Sequence, residues 1–182
     1  MRRKSVQSIF SFDEYIVGSI HMNMDKNHLF VQMGIQGWET YIKRMDDLLK
    51  SLTEEQLSGE IAPGRNTGTY LLGHLITVHD KMLPILGLGD MLYPQLEKPF
   101  LSSPDKSGFA FPTLKELLQY WAEVNRKLIE GFSAMTIDQW FERHNLVSAE
   151  DFAKEPHRNK LNLILNRTNH IAYHLGQLRL LK

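Results

Sequence analysis

The chain has 182 residues, enough for one domain with its own core. Lys plus Arg and Asp plus Glu each number 21, so no net charge draws it toward nucleic acid or anionic lipid. The absence of cysteine excludes disulfides, thiolate metal sites and cysteine nucleophiles.

Residues 1–25 show no steady helical period. Their basic start is followed by an apolar stretch that Asp13 and Glu14 interrupt, which makes a poor signal peptide. The reading is an N-terminal extension over 1–25 and a bundle domain over 26–182, with the cytoplasm as the expected compartment. No run approaches the roughly 20 apolar residues of a membrane span, so no membrane partner is expected.

The first strong helix is predicted from about Leu29 to Leu52. Trp38, Tyr41, Ile42, Met45, Leu48, Leu49 and Leu52 give it one apolar face. Thr53-Glu54-Glu55-Gln56 is a capping box that starts a short helical turn. After the turn cluster Ala62–Gly68, a second helix is predicted over about Thr67–Leu86, apolar around most of its circumference and hence buried. Pro84 marks its fraying end or a kink. Residues 87–112 are rich in Gly and Pro and read as a loop. About 15 extended residues already span some 50 Å, so this loop can cross the length of a bundle and leave helices two and three parallel. Helix three opens with the capping box Thr113–Glu116 and carries the stripe Leu114, Leu117, Leu118, Trp121, Val124, Leu128 and Phe132. A further box, Thr136–Gln139, precedes Trp140, and residues 141–158 read as a polar connection. Helix four runs from about Asn159 onward. No segment alternates with period two, so the fold class is all-α with four long helices.

Helix four carries His170 and His174, four residues apart. That spacing places them about 40° apart around the axis and one turn along it, so both imidazoles reach one point. His74 lies in the core-facing stripe of helix two. Pairing it with helix four completes a three-imidazole set that leaves positions free for water or substrate. Plainer readings stand beside this one. The helix-four pair suits a solvated face, and His74 suits a core histidine satisfied by hydrogen bonds. His79 lies about 140° round from His74 and reads as surface or supporting residue. His144 and His157 fall in connections, and His21 and His28 precede the first clear stripe. There is no HExxH, no phosphate-cradling loop, no nucleophile elbow and no paired Glu-x-x-His of di-iron bundles.

Leu71-Leu72-Gly73-His74-Leu75, the approach Ile61–Tyr70 and the run Asn169–Leu178 together resemble the DinB-like superfamily, over about residues 30–182. The resemblance implies a four-helix bundle in up-down-down-up order, in agreement with the long crossover. It implies one divalent metal ion on His74, His170 and His174, with zinc or nickel expected and iron or manganese as alternatives. Characterised members include thiol-dependent enzymes, among them mycothiol-dependent isomerases and bacillithiol transferases. The function implied is metal-dependent chemistry on a small molecule, either thiol-dependent transfer or metal-assisted hydrolysis. With no cysteine in the chain, the thiolate would come from a low-molecular-weight thiol. The alternative is a non-enzymatic metal-binding or interaction module. Asn166, Tyr173 and Gln177 lie near the helix-four pair as candidates for a supporting or substrate role: Asn166 and Gln177 to orient a ligand or water, with an interhelical hydrogen bond as the plainer role, and Tyr173 as an acid or a polar core residue. No residue is assigned as catalytic. A homodimer is expected, and no nucleic acid.

Overall fold

The computed structural model describes residues 25–182. The extension expected over residues 1–25 lies outside them except for its last residue, as does His21. The helices are α1 Lys26–Ser51, α2 Glu54–Ser58, α3 Gly68–Asp80, α4 Met82–Leu86, α5 Leu114–Ala134, α6 Ile137–Trp140, α7 Ala149–Lys154 and α8 Lys160–Leu178. A 3-10 turn, Arg179–Leu181, follows α8. Among the described residues there is no strand, only the isolated bridges Glu60 to Thr67 and Arg143 to Asn159.

The ends of these helices follow from side-chain chemistry. Thr53, Thr113 and Thr136 each form a capping box, in which the threonine accepts from the third helical N–H and a Gln or Glu returns to the cap. α1 begins earlier than its apolar stripe, because Asp25 accepts from the Asn27 N–H at 3.2 Å and caps a polar first turn. The long second helix is divided at Lys81 into α3 and α4, and α4 stops at Gly87 in the left-handed region, at φ 76°. Ser148 caps α7 inside the segment read as connection. That six-residue helix buries nothing, so it leaves no apolar period to read.

Contacts along the helices set their directions. Trp38 meets Phe132 at 5.9 Å between ring centroids, and the Trp121 Nε1–H donates to Asp46 at 2.7 Å, so α1 and α5 are antiparallel. Tyr70 lies beside Phe111 just before α5, and His79 bonds Asn125 further along, so α3 and α5 are parallel. Gly68, at the start of α3, abuts Leu181 beyond the end of α8, so these two are antiparallel. Gly34 near the start of α1 sits against Leu161 near the start of α8, so α1 and α8 run parallel. The order is up, down, down, up, with the long crossover between α3 and α5.

α3 lies at the centre, with all of its residues buried except Thr69 and His74. The crossover is more than a loop. It contains a 3-10 turn, Pro94–Leu96, and a π-helical turn, Lys98–Ser102, which bury Leu96 and Phe100. The expected stripe of α5 is corrected at one position: Leu118 is 36% exposed. It lines a groove of about 600 Å³ between α1 and α5, with Ile42, Leu49 and Ile129.

Candidate metal centre

The two helices that carry the histidines are held by close contacts. α8 lies along α1, where the glycine at Gly34 gives room to Leu161. α3 meets the crossover at Gly73, where any Cβ would overlap the Phe100 ring. A helical glycine weakens a helix by about 1 kcal/mol relative to alanine. Here it lets an aromatic ring rest on the helix backbone one residue before His74.

That seating places the Phe100 carbonyl 3.0 Å from His74 Nδ1. A carbonyl only accepts, so Nδ1 carries the proton and the lone pair is on Nε2. The same logic holds on α8, where His174 Nδ1–H donates to Gln177 Oε1 at 2.7 Å. Gln177 in turn donates through Nε2 to the Tyr173 hydroxyl at 3.1 Å. Both supported rings thus turn an unprotonated Nε2 inward. His170 Nε2 lies 3.3 Å from His74 Nε2 and 2.9 Å from His174 Nε2.

This arrangement fits a cation. Two nitrogens bound at about 2.1 Å and separated by 90–109° at the ion lie about 3.0–3.4 Å apart. The observed spacings fall close to that interval, and all three ligand atoms lie within 4.8 Å of one another. One proton on His170 Nε2 can satisfy only one of the two facing lone pairs at a time, so a shared cation suits the set better than hydrogen bonds alone. His170 Nδ1 is buried and meets no partner among the described residues. Burial pushes all three imidazoles below their ordinary values; His170 falls to about 4, with the neighbouring His174 and His74 adding to the effect. At neutral pH they are neutral, the state that metal binding requires.

The proposed supporting residues divide. Gln177 contacts His174, and Tyr173, 63% exposed, contacts Gln177. Asn166 is exposed and makes no side-chain hydrogen bond among the described residues. The surface alternative for His79 is corrected. That ring is fully buried between Trp38 and Trp121, and its Nδ1–H donates to Asn125 Oδ1 at 2.8 Å. Two further residues escaped the sequence reading, the Phe100 carbonyl and Arg167. A cleft of about 280 Å³ opens onto His74 and His170, and Arg167 forms part of its wall. Gly73 inside a buried helix was the signal for close approach at Phe100. Arg167 stands three residues before His170, on nearly the same face.

Fold and site together define an all-helical bundle with a three-histidine, metal-capable centre between two of its helices. The family model described as the DinB superfamily matches residues 38–178, and the chain belongs to that superfamily. Among solved structures, it is similar to the crystal structure of the conserved protein of locus from Enterococcus faecalis. That similarity has a TM-score of 0.57 and 16% identity, covers 83% of this chain and 96% of that one, and speaks to the fold. No curated protein matches the chain. No described helix is long and apolar enough to cross a membrane.

Proposed function

We propose that His74, His170 and His174 hold one divalent cation, zinc or nickel before iron or manganese, and that the protein acts on a small molecule entering the adjacent cleft. The convergence of the three Nε2 atoms supports this reading above all. When bound, the cation supplies Lewis acidity toward a substrate atom arriving from the cleft side. The Phe100 carbonyl and Gln177 fix two rings in the tautomer whose Nε2 lone pair faces inward. Val78, Ile85 and Leu101 line the cleft and limit water around the reacting atoms. The reaction class is thiol-dependent transfer, with a low-molecular-weight thiol as cosubstrate, or hydrolysis. We place the protein in the cytoplasm as a homodimer. A pure binding module is the competing reading, favoured because among the described residues no carboxylate joins the three histidines to serve as general base.

The test begins with metal analysis of protein purified without a histidine tag. About one equivalent of a divalent transition metal is expected in the wild type and little when any of the three histidines is alanine. Loaded protein is then screened with small electrophiles, with and without low-molecular-weight thiols. Turnover that survives complete metal removal would sink the mechanism. Stoichiometric metal with no turnover across the screen would favour the binding module.

A further inference from the structure

Arg167 lies in the cleft wall with His74 and His170 and is half-buried. Among the described residues it forms no ion pair, and the seven pairs present use other cations. Its Nε is buried and meets no acceptor. Lys81, the other cation of the cleft, is paired with Glu97. Among the described residues the cleft lining carries no acid, and Arg167 is its one cation without a partner. A partly buried charge without a partner is costly, and guanidinium does not escape by losing its proton. A dication on the three histidines would deepen this imbalance, because among the described residues no carboxylate joins the centre.

The geometry points to a small organic carboxylate as the ligand of this cleft, held by the terminal Nη groups of Arg167 with its apolar chain along Val78, Ile85 and Leu101. The planar end of guanidinium matches a carboxylate with two parallel hydrogen bonds, and both Nη groups are without a hydrogen-bond partner among the described residues. Val78, Ile85, Leu101 and Leu146 supply the apolar walls. The cleft volume of about 280 Å³ suits a molecule of modest size. Burial lowers the Arg167 pKa from its ordinary value with no neighbouring acid to offset it, consistent with a missing counter-charge. Arg167 is thus a specificity residue for the reading given above, on which this inference rests. An acid group anchored there would place the remainder of the substrate beside the His74–His170 edge.

The probe is hexanoate, with hexanamide as its neutral match and inorganic phosphate as a second anion. Binding is followed by NMR titration of full-length protein, both metal-free and zinc-loaded, for the wild type, Arg167→Gln and Arg167→Lys. Wild-type protein should bind hexanoate at least about tenfold more tightly than hexanamide. Arg167→Gln should abolish that preference, and Arg167→Lys should restore part of it. All three should bind one equivalent of zinc, Arg167→Gln no more weakly than the wild type because a repelling charge is gone, and melt within a few degrees of one another. Equal hexanoate affinity in the wild type and Arg167→Gln overturns the inference. So does phosphate binding more tightly than hexanoate through Arg167, because the ligand would then be a phosphate. The metal reading fails separately: a chain that takes up no zinc but selects hexanoate through Arg167 keeps the carboxylate site and loses the centre.

Discussion

His74 and His79 lie on one helix, five residues apart, and their surroundings differ in ways that set imidazole chemistry. His74 gives its Nδ1–H to a backbone carbonyl and turns Nε2 toward two more imidazoles at the edge of a cleft. His79 gives its Nδ1–H to Asn125, and its ring is closed in by two tryptophans. Asn125 is anchored in turn, donating to the Trp121 carbonyl at 2.8 Å. Burial is greater at His79, yet the ligand set forms at His74. Burial alone does not make an imidazole a ligand; convergence of lone pairs does.

The sharpest way to break this comparison is to remove one imidazole from each place. His170→Ala deletes the nitrogen common to both short contacts in the centre. If a bound zinc contributes about 10–16 kcal/mol through its three ligands together, one ligand carries about 3–5 kcal/mol, and affinity should fall by more than about a hundredfold. Competition with a chromophoric chelator measures it. His79→Ala should leave metal affinity within about threefold. Equal losses in the two variants would erase the distinction.

Stability should respond in the opposite order. His79→Ala opens a cavity in a closed core and strips Asn125 of its partner, for about 2–3 kcal/mol in denaturant unfolding. Metal-free His74→Ala should lose less, since that ring is only half-buried. The pH dependence adds a signature. Burial pushes His79 down to about 3, from an ordinary value of 6.5. The unfolded chain therefore binds the extra proton first as pH falls. The contribution of His79 is complete above pH 6.5 and declines toward pH 3, by up to about 1.4 kcal/mol per unit. Wild-type protein should lose about 2 kcal/mol more than His79→Ala between pH 7.5 and 5. Parallel stability curves would show that His79 does not titrate in this way.

Smaller effects test the supports. Gly73→Ala forces a methyl group into the Phe100 ring, for about 1–3 kcal/mol of overpacking. It should also weaken metal binding, because the same residue presents the carbonyl to His74. Gln177→Leu removes the His174 acceptor and an exposed bond to Tyr173, and should weaken metal by about tenfold with little change in stability. Titration of both variants, beside calorimetry, separates these outcomes.

Much of the bundle was legible because α1, α5 and α8 carry long amphipathic patterns and three capping boxes mark helix starts. The triad was legible in part: i, i+4 spacing pairs His170 with His174 from local geometry, whereas the choice of His74 over His79 rested on a core-facing stripe that the family resemblance then supported. Both histidines sit on a helix that is apolar nearly all round, where periodicity does not tell one inward face from another. The Phe100 carbonyl was invisible because a backbone acceptor leaves no trace in residue type. The π-turn that aims it spans only five residues. Arg167 was passed over because a single arginine on an amphipathic helix ordinarily faces solvent, and only the cleft reveals its missing partner.

The separation of 96 residues between His74 and His170 ties the site to the order in which the chain assembles. His170 and His174 form a two-pronged arm as soon as α8 winds, on the microsecond scale of local helices. The third prong arrives only when a loop of that length closes, at an entropic cost of about 4 kcal/mol from the length-dependent part alone. An unfolded chain would therefore grip a metal weakly, and a folded chain with all three imidazoles in place would grip it well. A cation held by all three imidazoles would act as a latch between the centre of the bundle and its last helix. Escape from the native state would then have to wait for the ion to let go of one side, and the lifetime of the fold would lengthen with metal supply.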